Sequence, residues 1–239
     1  MKSWKTKSGN QIFKVLSARS NSYLIVTKKY NILVDTGMSS AYRTIDKNIS
    51  LLTTSNSKID YLILTHTHFD HCQNAASIKE QYECKIIAGA EEEQFTKAGF
   101  TPVPGGTIPL TKFIVKIGAK LDIKRFRYEP FTADILINEY FDFQESDLDI
   151  KIIKTEGHSP GSVSVVLDNE IAIVGDTLFG IFKNSVFPPF ADNEPEMIKN
   201  WNTLLCTGCD IFLPGHGKKI DRDLLQRKYY KYAQKYNIE

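Results

Sequence analysis

The chain has 239 residues, 42% of them hydrophobic and 24% charged, with a formal net charge of +2 at pH 7. That is the composition of an ordinary globular chain, long enough for one large domain or two small ones, and so small a net charge says little about partners. No run approaches the roughly 20 apolar residues that cross a bilayer, the polar start Met1-Lys2-Ser3-Trp4-Lys5 lacks the apolar core of a secretory leader, and four scattered cysteines form no disulfide framework, so a reducing, cytoplasmic protein without a membrane span is expected.

Residues 12–17, 22–27 and 31–35 read as short strands rich in Val, Ile, Leu and Tyr, with a hairpin turn at 28–31. The third ends in Leu33-Val34-Asp35-Thr36-Gly37, where an Asp suits a turn. A helical stretch at 41–54 leads to the apolar run Ile59-Asp60-Tyr61-Leu62-Ile63-Leu64, a buried strand. Directly behind it stands Thr65-His66-Thr67-His68-Phe69-Asp70-His71. If His66 and His68 continue the strand, alternation turns both imidazoles to one side and Thr67 to the other. Asp70 and His71 follow where the chain enters a helix running to about residue 82, so their side chains point in a new direction and could hold a second ion beside the first. A lone His at a strand end is usually structural, but three His and an Asp within six positions point to metal.

After a strand at 85–88, a helix opens on Glu91-Glu92-Glu93. These three read as a solvated first turn, where negative charge suits the helix dipole, and are not counted as ligands. Residues 100–133 break the pattern as an insertion: Pro102, Pro104, Gly105, Gly106 and Pro109 mark a loop, and Leu110, Phe113, Ile114, Ile117 and Leu121 recur at helical spacing. Lys112, Lys116, Lys120, Lys124, Arg125 and Arg127 make this the most concentrated basic stretch, with Phe126, Tyr128 and Phe131 as aromatic surface. It reads equally as a substrate lid or as a structural amphipathic insertion.

Strands at 135–143, 149–154, 162–167 and 170–174, a helix at 194–205, a strand at 210–213 and a tail helix at about 221–236 capped by Asp221 complete the pattern. The remaining two of the five histidines each sit in a glycine-containing turn after an apolar strand, His158 in Gly157-His158-Ser159-Pro160-Gly161 and His216 in Pro214-Gly215-His216-Gly217. Between them, Ile171-Ala172-Ile173-Val174-Gly175-Asp176 ends another apolar strand on a carboxylate. Four separate strand ends thus deliver N or O ligands. Cys206 and Cys209 lack the second cysteine pair that would complete a zinc site.

The set His66-x-His68-x-Asp70-His71, His158, Asp176 and His216 resembles the ligand pattern of the metallo-β-lactamase-fold hydrolases, and Leu33 to Gly37 resembles that family's first motif. The match runs from about residue 12 to 217 with the motifs in order. The resemblance implies a single domain over 1–239, a four-layer αββα sandwich of α/β (α+β) class. It also implies one ion on His66, His68 and His158, a second on Asp70, His71 and His216, Asp176 bridging them, and Asp35 as an outer carboxylate that orients a ligand. Imidazole and carboxylate suit zinc, with iron or manganese as other candidates.

Two divalent ions about 3.5–4 Å apart lower the pKa of a shared water, so a bridging hydroxide serves as nucleophile and no serine or cysteine is required. Asp70 is the candidate to bind metal and shuttle the proton as well. Departures within the family narrow the reaction. β-Lactam cleavage typically uses Cys or Ser where Asp176 stands, and diiron reductases typically carry Glu at the position of His68. Glutathione thioester hydrolases carry a helical domain after the last His motif, whereas 22 residues follow Gly217 here. The expected function is a dinuclear metallohydrolase acting on a small ester, thioester or lactone, with an anionic substrate favoured by the basic insertion. A phosphodiesterase is the first alternative, though nucleic acid is a poor expectation without a long binding arm; a metal-dependent sensor without turnover is the second.

Overall fold

Alternation along the first strands decides which way each side chain faces, and the sheets follow from it. The computed structural model describes residues 1–53, 58–118, 124–143 and 149–238. Strands β1 (Ser3–Lys5), β2 (Gln11–Ser17), β3 (Asn21–Val26) and β4 (Asn31–Val34) pair antiparallel in that order. Helix α1 (Tyr42–Leu52) then carries the chain to β5 (Tyr61–Ile63), parallel to β4. A single helical turn α2 (Phe69–Cys72) and helix α3 (Ala75–Tyr82) lead to β6 (Lys85–Gly89), parallel to β5. Helices α4 (Glu93–Ala98) and α5 (Pro109–Gly118) precede β7 (Ile135–Ile137), parallel to β6.

The second sheet contains β8 (Tyr140–Asp142), β9 (Ile150–Lys154), β10 (Val163–Leu167) and β11 (Ile171–Gly180), joined antiparallel. After helix α6 (Glu194–Cys206), β12 (Ile211–Gly217) adds parallel to β11, then β13 (Ile220–Asp221) antiparallel, and α7 (Arg222–Tyr236) closes the described chain. Among the described residues the first sheet therefore has seven strands and the second six.

Period two sorts β3 between two cores: Tyr23 and Ile25 face the other sheet, while Leu24 faces away. Between the sheets, Ile12, Tyr23, Ile25, Ile32, Val34 and Ile63 meet Ile150, Ile152, Val163, Val165 and Leu213. On the outer side of the first sheet, Leu24, Leu33, Leu62 and Ile86 pack on Ile45 and Ile49 of α1 and Ile78 of α3. On the outer side of the second, Ala172, Val174 and Phe212 receive Met197, Trp201 and Leu204 of α6 and Leu225 of α7. Each such large side chain, at or near zero exposure, contributes about 1.5–3 kcal/mol by leaving water. The layers are helix, sheet, sheet, helix, as the resemblance implied.

Several boundaries move. The expected strand over 135–143 divides at residues 138–139 into β7 and β8, which belong to different sheets, so the chain crosses the sandwich there. The expected helix from 71 to 82 is broken into α2 and α3. Asp221 stands at the start of α7 but makes no side-chain cap; its carboxylate instead receives Lys219 Nζ at 2.5 Å. Thr54, expected at the end of α1, and Lys120, Leu121 and Asp122 of the basic segment lie outside the described residues. Among the described residues no helix is long and apolar enough to cross a membrane, and Cys206 and Cys209 are unpaired.

Candidate metal centre

The sites of interest gather at one edge, where β4, β5 and β9 end and where β11 and β12 run on past their pairing with the sheet interior. Asp35 follows β4 with φ of 60°, a left-handed conformation that Asp tolerates better than most residues. That turn aims its carboxylate at the loop after β5: Thr65 N donates to Oδ1 at 2.8 Å, Thr65 Oγ1 to Oδ2 at 2.8 Å, and His71 Nδ1 to Oδ2 at 2.9 Å. Because Thr65 gives its hydroxyl proton to Asp35, its oxygen accepts from His66 Nδ1 at 3.1 Å. His158 Nδ1 donates to the Phe190 carbonyl at 2.9 Å. In all three rings the Nδ1–H is occupied, which turns Nε2 into the same space.

The ring nitrogens converge. His66, His68 and His158 form one set, Asp70, His71 and His216 another, and His66, His71 and Asp176 a third; within each set one donor atom per residue lies within 4.8 Å of the others. His158 Nε2 is 3.0 Å from His68 Nδ1, His71 Nε2 is 3.3 Å from His216 Nε2, and His216 Nε2 is 3.7 Å from Asp70 Oδ2. Asp176 stands between the groups, with Oδ1 at 3.4 Å from His71 and Oδ2 at 3.7 Å from His158 and 3.2 Å from His216. The structure thus brings all seven side chains together and sets Asp35 directly behind His71.

This arrangement is poor chemistry for a protein on its own. His66 Nε2 and Asp176 Oδ1 are buried without a hydrogen-bond partner, a costly condition that a cation between them would relieve. Burial, reinforced by neighbouring imidazoles, pushes His66 and His68 well below the ordinary histidine range, and burial lowers His158 too. Burial also works against His71, but Asp176 and Asp35 outweigh it and hold that ring at about 10. In Asp176 burial is overcome by His216 and His71, which keep the carboxyl well below its usual range. A divalent ion requires neutral imidazoles and ionised carboxylates; His66, His68, His158 and Asp176 meet that condition, while His71 and His216, which Asp176 raises against the effect of burial, would shed a proton on binding, so the donor set fits divalent metal.

The family profile described as the metallo-beta-lactamase superfamily matches residues 18–216. The chain belongs to that superfamily. Membership makes this protein an enzyme, a metal-dependent hydrolase. A protein named probable metallo-hydrolase MJ0888, from Methanocaldococcus jannaschii, is 29% identical over 211 residues, covering 85% of this chain and 90% of the relative. A hydroxyacylglutathione hydrolase from Pelagibacter ubique is 28% identical over 171 residues, where the match spans 70% of this chain but only 54% of the relative. Among solved structures, the BLEG-1 B3 metallo-beta-lactamase superposes with a TM-score of 0.68 at 19% identity, over 90% of this chain and 96% of that one. At that identity the likeness is one of fold.

Around the seven side chains this superfamily member has features that its sequence concealed. Glu92, expected in solvent, is fully buried. It accepts from Thr67 Oγ1, from Thr67 N at 3.3 Å, from Ser159 Oγ at 2.6 Å and from Gly161 N at 3.1 Å. Burial raises its carboxyl, and those hydrogen bonds oppose the rise. Arg19, in the turn between β2 and β3, donates Nε to Asp70 Oδ2 at 3.1 Å while 58% of its side chain stays exposed. Its guanidinium lies 5.1 Å from the centre of the Phe69 ring, on which Phe126 stacks at 4.3 Å.

The insertion is therefore pinned beside the site, though not as expected. Tyr128 and Phe131 are core residues rather than aromatic surface, and the Tyr128 hydroxyl meets Thr101 Oγ1 at 2.7 Å. Lys124 and Arg125 are exposed next to Phe126, whereas Arg127 lies over the Phe100 ring. The apolar residues of α5, Leu110, Phe113, Ile114 and Ile117, are exposed.

Proposed function

We propose that this hydrolase is dinuclear and acts on a small ester, thioester or lactone that carries negative charge. In this reading His66, His68 and His158 hold one divalent ion, Asp70, His71 and His216 hold the other, and Asp176 reaches both; zinc is the first candidate, iron or manganese the others. The observation that carries it is the three partnerless buried atoms, His66 Nε2, His68 Nε2 and Asp176 Oδ1, on residues of three overlapping donor sets. When bound, the ions supply Lewis acidity and a water acidic enough to ionise near neutral pH.

The chain's own residues do the rest. Asp35 and Thr65 hold the His71 and His66 rings with Nε2 forward. Asp70 Oδ2 takes Arg19 Nε at 3.1 Å and is also the oxygen 3.7 Å from His216 Nε2, so Arg19 holds this carboxylate beside the second donor set, where it would bind an ion and pass a proton to the leaving group. Arg19 lies over the Phe69 ring, and Phe126, which follows the exposed Lys124 and Arg125 in the chain, stacks on that ring; positive charge next to an aromatic face would suit a carboxylate or phosphate group on the substrate. The name of the Pelagibacter relative favours thioesters within this class. Metal content by elemental analysis, with turnover measured across matched esters, thioesters, lactones and phosphodiesters, tests the reading. About two ions per chain and activity on the first three classes is the expected result; activity on phosphodiesters alone would replace it.

A further inference from the structure

The three histidines of the first donor set come from two loops that are far apart in sequence and are joined near their bases by a backbone hydrogen bond, Val163 N to the Thr65 carbonyl at 2.8 Å. His66 and His68 flank Thr67 in the loop after β5, and His158 adjoins Ser159 in the loop after β9. Thr67 points away from the imidazoles on either side of it and Ser159 follows its histidine directly, so both loops present a hydroxyl on the side opposite their rings. Between those hydroxyls lies one carboxylate.

Glu92 Oε2 takes the Thr67 amide at 3.3 Å and the Thr67 hydroxyl, and Oε1 takes the Ser159 hydroxyl at 2.6 Å and the Gly161 amide at 3.1 Å. All the groups named here donate to it. Two glycines make the approach possible: a Cβ on Gly161 would stand 2.5 Å from Glu92 Cγ, and one on Gly89 would stand 2.1 Å from the Gly161 carbonyl oxygen. The Thr67 hydroxyl also meets Thr101 Oγ1 at 2.9 Å, and Thr101 donates to the Thr67 carbonyl at 2.7 Å, so the far side of that loop is held as well. A buried carboxylate that only filled space would be replaced by an apolar side chain at no loss; one that receives both loops fixes their spacing.

We propose that Glu92 is a positioning residue for the first ion: it clamps the His66–His68 loop to the His158 loop and sets the distance between those imidazoles, while leaving the site of Asp70, His71 and His216 to Asp35. This rests on the two-ion reading above. Outer partners of metal ligands commonly contribute 10- to 100-fold in affinity, and Glu92 acts on three ligands through two loops.

Glu92→Gln tests it. The amide keeps size but turns an NH2 toward one of two pairs of donors, so at least one loop loses its acceptor. Zinc affinity would be measured by chelator competition in two backgrounds, H216A, which leaves the first site complete, and H158A, which leaves the second. The expected result is a 10- to 100-fold weakening from E92Q in H216A and a change below about threefold in H158A. Equal weakening in both would make Glu92 a general structural residue and overturn the proposal, as would no weakening in either. If E92Q does not fold, Ser159→Ala, which removes one of the donors, is the second variant, with a smaller loss expected in the same background only. A parent protein that takes up no metal would overturn the two-ion reading itself; a parent that binds two ions with an unselective E92Q would overturn the clamp alone.

Discussion

Asp35→Asn separates orientation from ligation. Asn is at ease at the φ of 60° found here, so the change introduces no backbone strain and no cavity. What it changes is the count of acceptors. Oδ1 receives Thr65 N, while Oδ2 receives Thr65 Oγ1 and His71 Nδ1. An Asn oxygen can serve only one side. Turned to Thr65 N, it leaves NH2 against His71 Nδ1–H and drives the ring toward the tautomer protonated on Nε2, the nitrogen 3.3 Å from His216 that an ion needs bare. Turned to His71, it sets NH2 against the Thr65 amide.

Either way the second ion loses a preset ligand. The expected loss is about 10- to 100-fold in affinity, or about 1.4–2.8 kcal/mol at 1.4 per tenfold, with the first ion spared. The metal-free protein should lose about 1–3 kcal/mol besides, for the unsatisfied buried donor. Chelator competition gives the first number and urea unfolding in EDTA the second. Unchanged affinity would refute the orienting role, and complete loss of both ions would make Asp35 a ligand.

Asp176→Ala should cut turnover by orders of magnitude while the fold survives, checked by circular dichroism; near-normal turnover would remove Asp176 from the site. His158→Ala should weaken chiefly the first ion and His216→Ala the second, read by metal stoichiometry, and loss of the same ion from both variants would contradict the two-site assignment. Arg19→Gln should raise KM for an anionic ester more than for a neutral one of equal size, most at low salt; equal effects would limit Arg19 to supporting Asp70. His71 is held at about 10 in the metal-free fold against 6.5 ordinarily, so its charge stabilises fully below pH 6.5 and that contribution is lost as pH rises toward 10. Metal-free protein should therefore lose stability across that window relative to His71→Gln, and metal affinity should rise over the same range as the proton is shed; parallel pH profiles for the two proteins would refute this.

How far the sequence could be read depended on whether the signal was local. Every histidine could be singled out because each follows an apolar strand and sits beside turn residues or another ligand, a pattern contained in about seven residues. Asp35 was visible for the same reason, through the Thr and Gly that follow it. Glu92 was not. Three consecutive Glu at a helix start look alike, a one-turn element has too short a period to show which faces inward, and the groups that satisfy Glu92 lie 25 and 67 residues away. Tyr128 and Phe131 were misjudged likewise: after a Pro- and Gly-rich loop, nothing local says that the chain returns to the core under α3. The break between β7 and β8 is a choice between sheets, which no window of nine residues contains. Arg19 had no signal at all, being one basic residue in a hairpin turn.

The span of chain between the converging side chains has a mechanical meaning. His71 and His216 approach within 3.3 Å although 145 positions separate them, and His68 and His158 within 3.0 Å across 90. An ion held there would cross-link the two sheets as a disulfide would, but reversibly and with the free metal concentration as its control. At a thousandfold excess over its dissociation constant one such ion adds about 4.1 kcal/mol to the folded state. The centre would then be a fastening as well as a workplace: a nascent chain gains it only after its last histidine has emerged, and a cell short of metal would find this protein easier to unfold and degrade.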